Sequence, residues 1–398
     1  MPQNYTITFA DGRVTTAYAP RSWTMGDGAS AEIGRILRSW GLEPGARVVL
    51  VTDRQISRIG LTAPAVDALD GEGFRVEIFS DIAGEPDLEI ARRVVDFARN
   101  HKPAAVVGLG GGSALDTAKL AAGMLTHSGD VTDYLGTKQF IRPCAPLLLI
   151  PTTAGTGAEA TRTVMLIVEG RKVFINSPFL VPGGAVLDPL LTRTLPPAVT
   201  AATGLDALSH AVESLLSTGS NPFTQHAAVM AVDIIAHWLP RAYEQPDDLE
   251  ARRAMLFAAY LGGLSLNAGA ILGHSIAYTI ANRTRLPHGV TCAMALPYCI
   301  AYSLPDASDR LLPAVEAAGI GPEKGSTGLA RWVSDLAAGL GLPVSLEAVG
   351  IQERDLEGMV AECLAAYPRP NNPRPMERER LLRLYRALWR GNLDDVLP

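Results

Sequence analysis

A carboxylate and three histidines in the second half of the sequence are residue types that bind divalent metal ions. Asp206 and His210 are four residues apart in GLDALSH, a spacing that places both side chains on one face of a helix. His274 follows in GHSIAY and His288 in LPHG. One carboxylate and three neutral imidazoles suit borderline ions such as Fe²⁺ or Zn²⁺. The spacing also fits a surface Asp–His pair with two capping or core histidines, so it leaves both readings open.

A run of three glycines in the first half has the character of a phosphate-binding turn. Gly110, Gly111 and Gly112 precede Ser113 where a predicted strand gives way to a predicted helix. Glycines there let backbone N–H groups approach a pyrophosphate at the positive end of the helix. The alternative is a tight turn with Ser113 as the helix N-cap. The run matches neither GxGxxG nor the Walker A pattern, so the general dinucleotide and ATP fingerprints do not apply.

Two further features support a dinucleotide site. The loop PTTAGTGAE, which contains Thr152 and Thr153, follows another predicted strand and offers hydroxyl and backbone donors. Asp53 ends the first strong strand, where its carboxylate could accept from a ribose 2′-hydroxyl group and repel a 2′-phosphate. This position favours NAD over NADP, although a turn-forming aspartate at the end of a strand would look the same.

The elements around these residues predict two domains of different class. Short β-branched runs alternate with helical patterns from residue 46 to about 188, which indicates a parallel sheet covered on both faces. After Asp188 the remaining periodicity is helical. We therefore expect an N-terminal Rossmann-like α/β domain over residues 1–190 and an all-helical, metal-binding and catalytic domain over residues 191–398.

Composition narrows the functional classes. The 398 residues carry 35 Lys and Arg against 41 Asp and Glu, a net charge of −6, and no basic run suited to nucleic acid. No segment reaches the roughly 20 apolar residues that cross a membrane. The start, Met1 to Tyr5, lacks the features of a signal peptide, so a cytoplasmic location is expected. The four cysteines form no CxxC pair and are expected to be small buried apolar residues.

Taken together and in order, these motifs resemble the iron-containing (group III) alcohol dehydrogenase family, within the fold that also contains glycerol dehydrogenases and dehydroquinate synthase. The resemblance covers nearly the whole chain, from about Gly26-Asp27-Gly28 to the closing NNPRP segment. Between them lie GGGSALDTAK, PTTAGTGAEATR, LDPLLTRTLP, TGLDALSHAVES and LPHG. The resemblance favours the metal site over the surface Asp–His pair with capping or core histidines. It also implies a homo-oligomer, with a dimer as the typical state.

The resemblance also implies residue roles. Metal ligands are expected at Asp206, His210, His274 and His288, and contact with the adenosine ribose at Asp53. Other dinucleotide contacts are expected at Gly110, Gly111, Gly112, Ser113, Asp116, Lys119, Thr152 and Thr153. Many members carry a histidine four residues after the third ligand, but this chain has Tyr278 there, and its part in a proton relay is left open.

The implied activity is a metal-dependent, NAD-linked alcohol dehydrogenase or aldehyde reductase acting on a small substrate. The ion would stabilise the alkoxide while a hydride passes to nicotinamide. Two enzymes of the same fold are alternatives: a maleylacetate reductase, which would need cationic anchors such as Arg162, and a zinc-dependent polyol dehydrogenase. A cofactor-binding protein without turnover is a third, but it would be expected to have lost a ligand, and all four are present.

Overall fold

The computed structural model describes residues 15–137 and 140–398, so the N-terminal residues Met1–Tyr5 discussed above lie outside the described residues. The chain forms two compact units, one of which is Tyr18–Thr194 and the other of which contains Leu195–Pro398. In the described part of the chain, no single helix is long and apolar enough to cross a membrane.

The first unit is built on a six-stranded parallel sheet with the strand order β1-β9-β6-β4-β2-β3. Its strands are β1 (Ser22–Met25), β2 (Arg47–Asp53), β3 (Arg75–Ile82), β4 (Ala105–Gly110), β6 (Leu147–Pro151) and β9 (Gly184–Leu187). A small second sheet has the order β5-β8-β7 and contains β5 (Gly136–Thr137), β7 (Thr163–Val168) and β8 (Arg171–Asn176). The helices of this unit are α1 (Ile33–Ser39), α2 (Arg54–Arg58), α3 (Ala63–Gly71), α4 (Leu88–His101) and α5 (Gly112–Thr126).

Both faces of the main sheet are buried, which explains the continuous apolar strands. Along β2, Val49 and Val51 face a cluster formed with α4 and α5, whereas Val48 and Leu50 face a cluster formed with α1 and α3. Successive strand residues point to opposite faces, so a strand covered on both sides has no polar alternation. The next two strands along the chain, β3 and β4, pair with β2 on opposite sides. The direction in which strands are added to the sheet therefore reverses beside β2. Ligands of such sheets bind at the carboxyl ends of the strands at this point.

The second unit is helical throughout its described elements. Its helices are α6 (Pro197–Leu216), α7 (Pro222–Glu244), α8 (Leu249–Ser265), α9 (Leu272–Ala281), α10 (His288–Ala307), α11 (Leu312–Ala317), α12 (Gly325–Gly339), α13 (Leu356–Ala366) and α14 (Arg378–Arg390). The α/β plus all-helical fold expected from the sequence is confirmed.

Candidate dinucleotide and metal sites

The glycine run lies where β4 passes into α5, and its backbone is too crowded for larger residues. A Cβ on Gly110, which has a φ of +151°, would lie 2.7 Å from the Ala114 Cβ and 3.1 Å from Asp53 Oδ2. A Cβ on Gly112 would lie 2.7 Å from Thr156 Cγ2. Helix α5 begins at Gly112 with Gly111 as N-cap, so the alternative in which Ser113 caps the helix is wrong. No side chain caps this N-terminus, which suits backbone binding of phosphate.

A pocket of about 540 Å³ opens at this turn. It lies at the carboxyl ends of β2 and β4, on either side of the reversal in strand order. The lining comprises Asp53, Arg54, Gln55, Arg58, Ile82, Ala83, Gly84, Gly111, Gly112, Ser113 and Ala114. Four of the predicted dinucleotide contacts, Asp53, Gly111, Gly112 and Ser113, thus line one cavity. Gly110, Thr152 and Thr153 are not lining residues, although the Thr153 Oγ1 and Cγ2 atoms lie 3.7 Å from the Cβ position built on Gly111.

Asp53 has a structural role as well as a place in the pocket. Its Oδ1 accepts a hydrogen bond from the backbone N–H of Ile56 at 2.9 Å, which makes it the N-cap of α2. Arg54 and Arg58 follow it in the same short helix and line the same cavity. The carboxylate is therefore held in place in a pocket whose lining also contains two arginines.

Asp116 and Lys119 are buried in α5 and brace it against the second sheet. Lys119 Nζ donates to Thr161 Oγ1 and to the Thr163 carbonyl, both at 2.8 Å, and lies 3.4 Å from Asp116 Oδ1. Asp116 Oδ2 accepts from the Met165 N–H at 2.9 Å. Burial raises the pKa of Asp116 and lowers the pKa of Lys119. Because these contacts use all three ammonium donors, any contribution of Lys119 to dinucleotide binding stays a prediction.

Glu159, which the sequence analysis did not single out, lies buried near this pair. Neither of its carboxyl oxygens accepts a hydrogen bond from another described residue. Burial raises its pKa to about 7, although Lys119 acts in the opposite direction. An acid among the small residues of GTGAEA is the signal that could have drawn attention to it.

The predicted metal-binding side chains come from three helices of the second unit. Helix α6 carries Asp206 and His210 one turn apart, α9 carries His274, and α10 begins at His288. Donor atoms of Asp206, His274, His288 and Cys292 all lie within 4.8 Å of one another. His210 is not in this group of four, but its ring stacks on His274 with centroids 5.0 Å apart.

The environment of Asp206 fits a bound cation. Its Oδ1 is buried and accepts no hydrogen bond from a described residue. This oxygen lies 3.6 Å from His210 Nε2 and 3.9 Å from His288 Nε2, too far for hydrogen bonds. Two ligands of one ion, each at about 2.1 Å, stand about 3.0–3.5 Å apart. A buried carboxylate among imidazoles needs a compensating positive charge, and a divalent ion would supply it.

Glu213, also missed by the sequence analysis, orients one imidazole of the group. Its Oε1 lies 2.6 Å from His274 Nδ1, and its Oε2 accepts from the backbone N–H groups of Ile271 at 2.8 Å and His274 at 3.3 Å. A carboxylate can only accept, so the proton resides on Nδ1 and Nε2 keeps its lone pair. The signal was present, since Asp206, His210 and Glu213 follow the i, i+4, i+7 spacing of one helix face.

Cys292 and Tyr278 complete the surroundings. Cys292 is buried, as expected, and its sulfur also lies in the donor group. The Tyr278 ring stacks on His288 with centroids 5.6 Å apart, and the Arg369 guanidinium carbon lies 5.8 Å from the tyrosine ring centroid. Burial raises the pKa of Tyr278 to about 12. Its phenol therefore keeps its proton at neutral pH.

The sequence of the chain matches two models of one protein family. Residues 20–189 match the family model described as iron-containing alcohol dehydrogenase, and residues 200–389 match the C-terminal model of the Fe-containing alcohol dehydrogenase family.

Similar proteins include two curated bacterial enzymes and a solved structure. Long-chain-alcohol dehydrogenase 1 of Geobacillus thermodenitrificans is 35% identical over 88% of this chain and 91% of its own length. NAD-dependent methanol dehydrogenase of Bacillus methanolicus is 30% identical over 91% of this chain and 96% of its own. The crystal structure of a 1,3-propanediol oxidoreductase is 29% identical and superposes with a TM-score of 0.89, covering 94% of this chain and all of that one.

Proposed function

The chain belongs to the iron-containing alcohol dehydrogenase family, oxidoreductases that act on CH–OH groups, and we propose that it interconverts a small alcohol and its aldehyde with NAD(H) and a divalent metal ion. The observation that carries this proposal is the buried Asp206 Oδ1, which lies among imidazoles from three helices and accepts no hydrogen bond from a described residue. The pocket at the glycine turn supplies the second requirement, a place for the dinucleotide.

We assign the metal ligands to Asp206, His210, His274 and His288. When bound, a divalent cation supplies a Lewis acid that lowers the pKa of an alcohol hydroxyl group. Oxygen and imidazole donors suit Fe²⁺, and they also suit Zn²⁺. Glu213 positions His274 by holding the proton on its Nδ1, so that Nε2 stays available.

Tyr278 acts in this proposal by packing. Its phenol, with a pKa of about 12, is a poor base at neutral pH. Its ring lies almost parallel to that of His288, at 21°, and fixes the orientation of that imidazole. The alcohol proton therefore leaves through water, and Tyr278 shapes the space beside His288.

The dinucleotide is proposed to lie along the glycine turn. Backbone N–H groups at the start of α5 bind the pyrophosphate, and Gly110, Gly111, Gly112 and Ser113 provide the close approach. Asp53 meets the adenosine ribose, and Thr152 and Thr153 contribute from the neighbouring loop. Lys119, beside Asp116, joins α5 to Thr161 and Thr163. The Bacillus methanolicus relative is named as an NAD-dependent enzyme, which agrees with this choice of cofactor.

The preference for NAD over NADP is testable at Asp53. Asp53→Asn keeps an N-cap residue for α2 but removes the charge that would oppose a 2′-phosphate. Because the substitution removes a negative charge from a pocket that Arg54 and Arg58 also line, the ratio of kcat/KM for NADP to that for NAD should rise by about tenfold or more. Asp87→Asn, the same change at the N-cap of α4 outside the pocket, is the matched control and should leave the ratio unchanged. Equal use of both cofactors by the wild type would contradict the preference.

The two alternatives from the same fold are less well supported. A maleylacetate-type diacid needs cationic anchors, and the Arg162 guanidinium lies over the Tyr18 ring at 5.1 Å. The relatives described above are named for long-chain alcohol, methanol and 1,3-propanediol.

A panel assay separates the candidate substrates. Linear alcohols, diols including glycerol, aldehydes and oxo-acids are tested with each nicotinamide cofactor after reconstitution with Fe²⁺ or Zn²⁺. The highest kcat/KM is expected for an unbranched alcohol or its aldehyde. The highest value for an oxo-diacid would overturn this substrate class in favour of the maleylacetate alternative. Cytoplasmic location and a homodimeric state stay predictions.

A further inference from the structure

Helix α9 carries His274 in its first turn but has no capping residue of its own. The helix begins at Leu272, and its N-cap, Ile271, forms no side-chain hydrogen bond. The two preceding residues, Gly269 and Ala270, have no side-chain acceptor. The first four backbone N–H groups of a helix have no partner within the helix, so they need acceptors from outside. The position of His274 therefore depends on residues elsewhere in the chain that accept from this turn.

Two side chains that are distant in the sequence supply these acceptors. Glu213 of α6 accepts from the backbone N–H groups of Ile271 and His274. Asn372, in the closing NNPRP segment, accepts from the Leu272 N–H through Oδ1 at 3.2 Å. Three of the four N–H groups at the start of α9 are thus satisfied by α6 and by the closing segment.

The side chain of Asn372 is held firmly for this contact. The residue is buried, and its Nδ2 donates to the Arg374 carbonyl at 2.6 Å while Oδ1 accepts from Leu272. The two ends of the amide group have partners of opposite type, so turning the amide over would break both hydrogen bonds.

Asn371 joins the same segment to the end of α6, the helix that carries Asp206 and His210. Its Nδ2 lies 3.1 Å from Ser217 Oγ, directly after α6, and donates to the carbonyl oxygens of Gly269 at 3.2 Å and Ala270 at 3.1 Å. The fit is close, because a Cβ on Gly269 would lie 2.9 Å from this nitrogen. The NNPRP segment therefore connects the end of one ligand-bearing helix to the start of another.

We propose that Asn372 is a positioning residue of the metal site, which fixes the first turn of α9 and so holds His274 at the donor group before the ion binds. The inference rests on the proposed metal site and goes beyond it in giving a role to the NNPRP segment. Without this acceptor, the Leu272 N–H is left unpaired in a buried turn, and the backbone that carries the imidazole is less ordered. Metal binding must then order the turn again, which lowers the affinity.

The test compares the full-length wild type with Asn372→Ala and Asn282→Ala. Asn282 is the matched control, because its side chain joins the opposite end of α9 to Glu362 and Tyr367. The affinity for Co²⁺, measured by competition with a chromophoric chelator, should fall by about tenfold in Asn372→Ala, the lower end of effects seen for residues that support metal ligands. The visible bands of bound cobalt depend on the ligand geometry. They should change in Asn372→Ala and match the wild type in Asn282→Ala.

Hydrogen exchange followed by mass spectrometry shows where the substitution acts. In metal-free Asn372→Ala, the backbone N–H groups of residues 271–277 should exchange faster than in the wild type, whereas those of α12 should be unchanged. Equally accelerated exchange throughout the helical unit would mean that Asn372 only stabilises the fold, and would overturn the positioning role.

The outcomes separate this inference from the proposed function. If the wild type binds cobalt and Asn372→Ala binds it with the same affinity and spectrum, the positioning role is wrong and the metal site stands. Wild type that binds no cobalt would overturn both. Should Asn372→Ala fail to fold, exchange in the metal-free wild type decides the question. The Leu272 N–H should be as protected there as those in the middle of α9, and rapid exchange at Leu272 would contradict the proposal.

Discussion

At the scale of single residues, the site depends on a carboxylate that touches no proposed substrate. Glu213 is buried, and its two oxygens bind His274 at both the ring and the backbone. The fit is close, because a Cβ on Gly273 would lie 2.5 Å from Glu213 Oε1. Outer carboxylates of this kind fix the tautomer of a ligating histidine and raise its basicity.

Neutralising Glu213 should therefore weaken metal binding. Glu213→Gln keeps the shape but provides a weaker acceptor for His274 Nδ1–H, so metal affinity should fall by about 10- to 100-fold, measured by competition with a chromophoric chelator. The matched control is Glu159→Gln, the same change at a buried glutamate of the other unit, for which metal affinity should be that of the wild type. Unchanged affinity in Glu213→Gln would mean that this carboxylate only stabilises the fold.

Glu159 predicts a dependence of stability on pH. Its pKa of about 7 in the folded protein lies above the ordinary value of 4.5, so folding favours its protonated form. Protonation of Glu159 therefore stabilises the folded protein. This stabilisation is fully present below about pH 4.5. As the pH rises to about 7, the free energy of unfolding falls by roughly 3 kcal/mol.

Glu159→Gln removes this titration. The melting temperature of the variant minus that of the wild type should be several degrees higher at pH 8 than at pH 5. Glu89→Gln, at an exposed position of α4, should show no comparable trend. A difference between Glu159→Gln and wild type that is the same at both pH values would exclude Glu159 as the titrating group.

At the scale of elements, the metal site requires α10 to begin directly against α6. A Cβ on Gly289 would lie 2.1 Å from the Ala202 carbonyl oxygen and 3.3 Å from the Asp206 Cβ. Only glycine allows this approach, which brings His288 to Asp206. The preceding Pro287 and the glycine of LPHG thus set the start of α10 as well as supplying a ligand.

Gly289→Ala should separate the two helices. Relief of the clash with the Ala202 carbonyl oxygen needs a shift of about 1 Å, which can lower turnover by about 100-fold and costs about 1–3 kcal/mol in stability. Metal content should fall with activity. Gly339→Ala is the matched control, because no atom lies within 4 Å of its Cβ position in α12. It should leave metal content unchanged, and wild-type metal content in Gly289→Ala would refute this account of the helix contact.

The elements also show which parts of the fold could be predicted from sequence. The parallel sheet was predicted because continuous apolar runs, such as those that form β2, β3, β4 and β6, indicate burial on both faces. The short strands β1 and β9 and the small sheet were missed, since they are brief and their pairing depends on distant partners. Helices α9 and α10 were not delimited, because they are apolar on nearly all sides and lack amphipathic periodicity.

At the scale of the whole molecule, the two units divide the proposed tasks. The α/β unit has a pocket at the reversal of strand order, and the helical unit has a buried donor group drawn from three helices. The order of motifs predicted the family, which the comparisons confirm. The contact of Glu213 with His274, and the position of Cys292 in the donor group, were missed because both depend on side chains that meet only in the folded chain.

The central claim is that this chain oxidises an alcohol with NAD only when a divalent ion is held by Asp206 and the histidines. The most direct measurement is alcohol-dependent formation of NADH by protein stripped with a strong chelator, with residual metal determined by elemental analysis, before and after addition of Fe²⁺ or Zn²⁺. The account predicts loss of activity on stripping and recovery at about one ion per chain. Full activity in verified metal-free protein would contradict it.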